Sequence, residues 1–379
     1  MEHEGAMPDA DVVHIGGILL PDEDIILEPE PRRSLPLRIA YLFLGLGLFV
    51  TALGVMKEGA ASLVPHLEGS VFTDNALSTL GLGWFGACIV LSGSPVAASS
   101  LTLLDGGAID RDQSFTMLLG SRLGAAFVVL VVGTIYAVRN KTQTGRRGPI
   151  SIGILSLLLT SVLYVPAALV GFVLLRRGAF DGLDIGASPE LTSLTDRLFG
   201  WSVDLIVDLV PSWALFPVGL AVLLVGFNVF DRVLPSVGSA QLEEREDSWV
   251  DRKWPMFLVG CGVTLLTLSV AVSLSVLVPL VAKGHLRRSN VLPYIAGANI
   301  TTLADTLVAA ILVGDQDAVR VVVAITICVT VWTVAILAFA YPLLRKVILG
   351  ISRRVLASPA RLAGFTACLL LIPVALIAV

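Results

Sequence analysis

The chain is poor in charge, since only 15% of its 379 residues are Asp, Glu, Lys or Arg. Soluble globular domains carry about 25%. Hydrophobic residues make up 55% of the sequence, and it lacks the basic clusters with interleaved aromatic residues that favour nucleic-acid binding. The composition excludes a soluble globular domain and a nucleic-acid partner. It predicts an all-α polytopic protein whose surroundings are a lipid bilayer.

Cysteine and histidine are scarce and scattered. The four cysteines lie inside apolar runs, and no CxxC pair or Cys/His ligand spacing occurs. We interpret the cysteines as small packed hydrophobic residues and expect no metal site and no bound cofactor. HExxH, GxSxG and paired aspartates in facing spans are also absent from the sequence, so we expect no enzyme.

The first 34 residues hold acidic side chains where a signal peptide would have a basic start and an apolar stretch. We predict that residues 1–34 form an acidic, disordered tail on the cytoplasmic side.

Nine apolar runs follow the tail, and the only charged residues inside them are Arg122 and Asp305. A membrane span needs about 20 such residues. The runs are Ile39–Met56, Asn75–Leu104, Gln113–Val138, Ile150–Leu175, Leu209–Phe230, Met256–Ala282, Ser289–Gly314, Val321–Leu344 and Leu362–Val379.

Basic loops orient these runs, because cytoplasmic loops collect Lys and Arg. Segments 32–38 and 139–147 are both basic, yet three runs lie between them, and two loops on one side require an even number of crossings. Run 75–104 resolves the conflict, since 30 helical residues exceed the hydrocarbon core and Ser92–Pro95 interrupts them. We predict a re-entrant hairpin at 75–104 and a second at 256–282, which leaves about seven full spans.

The sequence also matches itself at an offset of 177 residues, where Gly107 aligns with Gly284 and Gly120 with Gly297. Each copy contains one span, one hairpin and two further spans, and this odd number of crossings inverts the second copy. The predicted organisation is a tail at 1–34, membrane repeat 1 at 35–175 with its hairpin at 75–104, an extracytoplasmic loop and lead-in at 176–211, membrane repeat 2 at 212–352 with its hairpin at 256–282, and a C-terminal span at 353–379.

Three stretches carry a resemblance to a known family: Leu44–Asn75, Leu91–Gly124 and Leu268–Thr302. The third ends in GANITT at Gly297–Thr302, similar to the G-[SA]-N-I-G-T-T signature of the type II sodium-phosphate cotransporters. Over roughly 35–344 the chain resembles that family. The resemblance implies a multi-pass cell-membrane protein that carries inorganic phosphate with sodium as the coupling ion.

The hairpin tips depart from the family pattern, which reads Q-S-S-S in both copies. Here the tips read Leu91–Ser94 (LSGS) and Leu268–Ala271 (LSVA), and the first-repeat signature reads GSRLGA at Gly120–Ala125. The chain is therefore interpreted as a divergent member.

The candidate substrate-binding residues are grouped at these tips and signatures. A broken hairpin frees amides and hydroxyls for an anion, whereas the alternative is that Ser and Gly only permit close helix packing. Asn299 is included because the resemblance implies a binding or bracing role. The set is Ser92, Gly93, Ser94, Arg122, Ser269 and Asn299.

Arg122 and Asp305 are the two charges within spans. A charged side chain inside a span costs at least about 2.5–3.5 kcal/mol, so each is expected to face protein or a water-filled cavity. Arg122 suits an anion bound through two hydrogen bonds, or else snorkels to the membrane surface. Asp305 could ligate sodium or carry a proton, and we predict that it pairs with Arg122. The ion-coupling candidates are Ser121, Thr301, Thr302 and Asp305.

These features predict a secondary active transporter of a small inorganic anion, working by alternating access. The alternative is a transport-inactive family member that acts as a membrane scaffold or regulatory protein.

Overall fold

A computed structural model describes residues 14–15, 18–19, 35–67, 70–139, 147–183, 189–231, 252–275, 277–282, 286 and 288–379. Within them, sixteen α-helices and one π-helical segment form an all-α membrane protein, as predicted. The helices are α1 Leu35–Leu67, α2 Ala76–Val90, α3 Ser94–Asp105, α4 Arg111–Ala125, α5 Phe127–Arg139, α6 Arg147–Arg176, α7 Pro189–Leu209, α8 Ser212–Asp231, α9 Lys253–Thr267, α10 Val270–Ser275, α11 Leu277–Ala282, α12 Arg288–Thr301, α13 Leu303–Val313, α14 Gln316–Ala335, α15 Tyr341–Val355 and α16 Pro359–Ile377, with the π-helix at Ile336–Ala340.

Seven segments of the described chain are long and apolar enough to cross a membrane, which confirms the predicted number of spans. They are Ala40–Leu67, Arg111–Val138, Gly148–Arg176, Ser212–Val229, Arg288–Val313, Gln316–Val355 and Pro359–Ile377. The two runs predicted to be hairpins instead begin with the short apolar helices α2 and α9, 15 residues each. At 1.5 Å per residue such a helix is about 22 Å long, shorter than the hydrocarbon core of about 30 Å.

Helix boundaries recur at the offset found in the sequence. The pairs α1 and α8, α2 and α9, and α4 and α12 each begin 177 residues apart. In addition, the residues that directly follow α2 and α9 are Leu91 and Leu268, whose φ angles are 55° and 48°. Among the described residues these are the only non-glycine positions with positive φ. Because a leucine rarely adopts this left-handed conformation, its recurrence marks the same sharp break in both segments.

Contacts between helices recur at the same offset. A Cβ atom on Gly120 of α4 would lie 2.1 Å from the carbonyl oxygen of Leu80 in α2. One on Gly297 of α12 would lie 2.1 Å from the carbonyl oxygen of Phe257 in α9. No side chain fits at that distance, so glycine is what lets both helix pairs touch backbone to backbone.

The ends of the first broken segment lie together at the beginning of α4. The side-chain amide of Gln113, in the first turn of α4, donates a hydrogen bond to the carbonyl oxygen of Thr73 (2.7 Å), just before α2. The segment ends at Asp105, six residues before α4. Both ends of segment 76–105 therefore lie near the beginning of α4.

The ends of the second broken segment lie together at the π-helix. The Lys253 ammonium, at the start of α9, donates to the carbonyl oxygen of Leu337 (2.7 Å). At the start of α12, the carbonyl oxygen of Ser289 accepts a hydrogen bond from the Tyr341 hydroxyl (3.1 Å).

These two sets of ends lie at opposite ends of the 26-residue span Arg288–Val313. Its first turn lies by Tyr341, as described above. Its other end leads directly into α14, where Asp317 lies 3.5 Å from Arg111 at the start of α4.

One prediction needs correction. The stretch 176–211, predicted to be a loop and lead-in, contains the 21-residue helix α7. This helix lies along α1, where the hydroxyls of Thr51 and Ser202 are 2.7 Å apart. Charged residues such as Asp204 interrupt its apolar positions, so no continuous apolar run marked it in the sequence.

Of the tail at 1–34, the structure describes two short strands before α1. β1 (His14–Ile15) pairs antiparallel with β2 (Ile18–Leu19), and β2 lies beside α10. The rest of the predicted disordered tail lies outside the described residues, as do most of the basic loop at 139–147 and Gly284 of the sequence repeat.

Candidate functional site

Two spans are interrupted near the residues that carry charge. The span beginning with α4 breaks at Ala126 (φ −65°, ψ −15°), and the one beginning with α12 breaks at Thr302 (φ −65°, ψ −16°). A break exposes the carbonyl end of one helix and the amide end of the next, which attract cations and anions respectively. At the second break the N–H of Thr302 still donates to the carbonyl oxygen of Ala298 (3.1 Å), and the carbonyl oxygen of Thr302 accepts from Arg122 (3.5 Å).

Arg122 lies in the last turn of α4 and is 4% exposed, so it does not snorkel to the surface. Nη2 donates to the Thr306 hydroxyl (2.5 Å), and Nη1 donates to the hydroxyl (3.3 Å) and the carbonyl oxygen (3.5 Å) of Thr302. Nε is buried and has no hydrogen-bond partner. The carbonyl end of α4 stabilises the cation, but the guanidinium retains an unused donor.

Asp305 lies in the first turn of α13 and is 7% exposed. Its Oδ1 accepts a hydrogen bond from the hydroxyl of Thr306 (2.9 Å), and its buried Oδ2 has no partner. The amide end of α13 stabilises a carboxylate at this position.

The predicted contact between Arg122 and Asp305 is indirect. Among the ion pairs of the described residues, none closer than 4.0 Å joins these two side chains. They are linked through Thr306, whose hydroxyl accepts from Arg122 and donates to Asp305. Two buried charges of opposite sign compensate each other at this separation, yet each keeps one unpaired polar atom.

The first hairpin tip packs next to this network. A Cβ atom on Gly93 would lie 2.8 Å from both the carbonyl oxygen of Ser121, which directly precedes Arg122, and the Cβ of Ala125, one turn after it. Ser92 and Ser94 flank this contact and are partly buried. The hydroxyl of Ser121 itself is fully buried and donates to the carbonyl oxygen of Leu118 (2.7 Å).

The second tip is not joined to the Arg122 network by any contact of the described residues. The hydroxyl of Ser269 accepts a hydrogen bond from the backbone N–H of Val272 (3.3 Å), which begins its own helix. Ser269 therefore caps α10 locally.

Asn299 braces α12 against α6. Its side-chain amide donates to the hydroxyl of Thr160 (2.9 Å), and its backbone carbonyl oxygen accepts from the hydroxyl of Tyr164 (2.6 Å). Thr301 donates to the carbonyl oxygen of Gly297 (3.1 Å), within its own helix. The structure thus brings Gly93, Ser121, Arg122, Thr302 and Asp305 together, and places Asn299, Thr301 and Ser269 in other contacts.

Three further polar residues matter here that the predicted set did not include: Thr306, Thr160 and Tyr164. Thr306 bridges the two charges. Thr160 and Tyr164 lie four residues apart in an apolar span, so they share one face of α6. That spacing is the sequence signal that could have indicated them.

The fold and the site define a polytopic membrane protein with interrupted spans and buried charges, a combination typical of membrane transporters. Residues 222–364 match the family model described as Na+/Pi-cotransporter, so this part of the chain is similar to that family. No curated protein and no solved structure matches the chain. The matched part includes Asn299 and Asp305, whereas Arg122 lies before it.

Proposed function

We propose that the protein is a secondary active transporter that moves a small anion, inorganic phosphate in the first instance, across the cell membrane with sodium. The observation that carries the proposal is Arg122, a buried arginine at a helix break whose hydrogen bonds within the described residues go to hydroxyl and carbonyl oxygens and not to a carboxylate. A guanidinium with an unused donor, placed beside a glycine-containing hairpin tip, suits an oxyanion.

Substrate binding would use the α4 side of the site. Arg122 supplies the positive charge, and the N-terminus of α3 at Ser94 supplies backbone N–H groups that a helix leaves unpaired. The hydroxyls of Ser92 and Ser94 complete a set of donors for the oxygens of phosphate. Gly93 allows this tip to approach α4 closely enough for both parts to reach one anion.

Coupling would use the α13 side. Asp305 has an unpaired carboxylate oxygen, and the hydroxyl and carbonyl oxygen of Thr302 lie at the adjacent break. Oxygen atoms of this kind ligate sodium. Proton coupling is the alternative, with Asp305 protonated in one half of the cycle.

Alternating access would follow from two inverted repeats, each with one re-entrant hairpin. The recurrence of helix boundaries and close glycine contacts at an offset of 177 residues supports the repeat. The inversion is supported by the positions of the hairpin ends, which lie at opposite ends of the span Arg288–Val313. The basic loops favour a cytoplasmic N-terminus and a cytoplasmic end at Arg288.

Uptake of labelled phosphate into proteoliposomes under an inward sodium gradient tests the proposal. Wild-type protein should accumulate phosphate, and Arg122→Gln should lose at least about 99% of the initial rate, because a buried charged hydrogen bond contributes about 3 kcal/mol or more. Arg354→Gln, an exposed arginine in α15, is the matched control and should retain full activity.

The alternative function, a transport-inactive membrane scaffold, is favoured by the second hairpin tip, where the hydroxyl of Ser269 is used within its own helix. Absence of uptake for phosphate, sulfate and carboxylates in folded wild-type protein would replace the transporter proposal with this one.

A further inference from the structure

A separate cavity of about 230 Å³ opens between the first turn of α12 and one face of α15. Of the described residues, three arginines, two serines and one leucine line it, and no acidic residue does. The lining residues are Arg288, Ser289, Arg345, Leu349, Ser352 and Arg353. The cavity lies at the end of the span Arg288–Val313 that is remote from the Asp317 contact, and no residue of the Arg122 site lines it.

The three arginines around this cavity are not paired with acidic residues in the part of the chain that the structure describes. Within the described residues, no ion pair closer than 4.0 Å involves Arg288, Arg345 or Arg353. Three guanidinium groups around a space of this size repel one another. An anion between them would remove that repulsion and accept several charged hydrogen bonds.

Two uncharged features add polar groups to the same cavity. Ser289 (8% exposed) and Ser352 (4%) are buried hydroxyl residues in its lining, and the hydroxyl of Ser289 donates to the side-chain oxygen of Asn290 (3.0 Å). The cavity also meets the N-terminus of the 14-residue helix α12, whose first N–H groups have no partner within the helix and attract negative charge.

An apolar stripe runs along the face of α15 opposite the arginines. Leu343, Val347 and Ile351 follow one another at intervals of four residues and are 64%, 44% and 38% exposed. Residues spaced in this way share one helix face, and at about 100° per residue that face lies opposite Arg345 and Leu349, so α15 turns its apolar side away from the basic cavity. Basic pockets between membrane helices are suited to anionic headgroups.

We propose that this cavity is a binding site for a phosphate group, carried either by an anionic phospholipid headgroup or by free inorganic phosphate. In both cases Arg345 and Arg353 of α15 and Arg288 of α12 surround the phosphate oxygens. The bound group ties α12, which follows the second hairpin, to α15. This site is distinct from the proposed transport site and does not depend on it.

Native mass spectrometry of the purified full chain tests the lipid source, with phosphatidylglycerol as the anionic probe and phosphatidylcholine as the neutral one. The double variant Arg345→Gln/Arg353→Gln should bind phosphatidylglycerol about 30-fold more weakly, at about 1 kcal/mol per arginine. The matched control is Lys346→Gln/Arg354→Gln, which removes the same charge from α15 at positions that do not line the cavity. It should bind phosphatidylglycerol like the wild type.

The thermal shift produced by inorganic phosphate tests the free-ion source. It is measured in an Arg122→Gln background, so that phosphate at the transport site does not contribute. A shift that requires Arg345 and Arg353, with no preference for phosphatidylglycerol over phosphatidylcholine, assigns the site to free phosphate. The proposal is overturned if both double variants lose phosphatidylglycerol binding and the phosphate-induced thermal shift to the same extent. It is also overturned if neither variant weakens the response to either probe.

Discussion

The two broken segments share a backbone but differ in the polarity of their side chains. Each has a 15-residue helix, a leucine with positive φ and a glycine contact with the following span. Behind the second break, the hydroxyls of Thr264, Ser273 and Tyr294 form a buried hydrogen-bonded chain with distances of 2.7 and 3.0 Å. The aligned residues of the first segment are the apolar cluster members Ala87, Val96 and Met117.

The charged position differs in the same way. Arg122 in the first half aligns with Asn299 in the second, and only the asparagine braces its helix against α6. Glycine contacts fix the distance between the backbones in both halves, and the neighbouring side chains can then differ without changing that distance. This difference teaches that the recurrence at 177 residues is a property of backbone packing, whereas the substrate-binding residues that we propose lie mainly in the first half.

The largest expected effect on uptake and stability comes from replacing Arg122 with asparagine, the residue at the aligned position 299 of the second half. Arg122→Asn should abolish phosphate uptake and lower the free energy of unfolding by about 3–5 kcal/mol, because Asp305 is left as a buried charge without its counter-charge. The double variant Arg122→Asn/Asp305→Asn should recover most of the stability but none of the uptake. Thermal unfolding in detergent and proteoliposome uptake measure the two quantities. Recovery of transport by the double variant would contradict the assignment of Arg122.

A smaller loss of stability, equal at the two positions, is expected when Gly120 or Gly297 is replaced by alanine. Gly120→Ala and Gly297→Ala should each destabilise the protein by about 3 kcal/mol, because the added methyl group meets a backbone carbonyl oxygen that cannot move aside. Thermal unfolding in detergent checks this against Gly350→Ala in α15, where the added Cβ meets open space and should be neutral or stabilising. Strongly unequal effects at the two positions would show that the halves are not packed alike.

The smallest effect concerns the polar chain of the second half. Tyr294→Phe removes a hydroxyl that contacts Ser273 and should cost about 1–2 kcal/mol. Met117→Leu, at the aligned position in the first half, conserves volume in an apolar cluster and should cost under about 1.5 kcal/mol. Urea titration followed by tryptophan fluorescence resolves the difference between the two. A larger loss for Met117→Leu would reverse the interpretation.

Much of the fold follows from the sequence, because a segment can cross a bilayer only if it is long enough and has few charged residues. Seven spans and the two short interrupted segments were predictable in this way. The helix α7 was not, since its apolar residues alternate with charges. Arg122 and Asp305 stood out as isolated charges, but their link through Thr306 depends on a crossing of α4 and α13 that no sequence pattern specifies.

The proposal that the two hairpins enter from opposite faces can be tested directly by cysteine labelling. In a background without the native cysteines, Val71→Cys precedes the first hairpin and Arg252→Cys precedes the second, and both positions are exposed. A membrane-impermeant maleimide applied to sealed, right-side-out vesicles should label Val71→Cys at once and Arg252→Cys only after permeabilisation. Labelling of both positions from the same side would contradict the inverted arrangement.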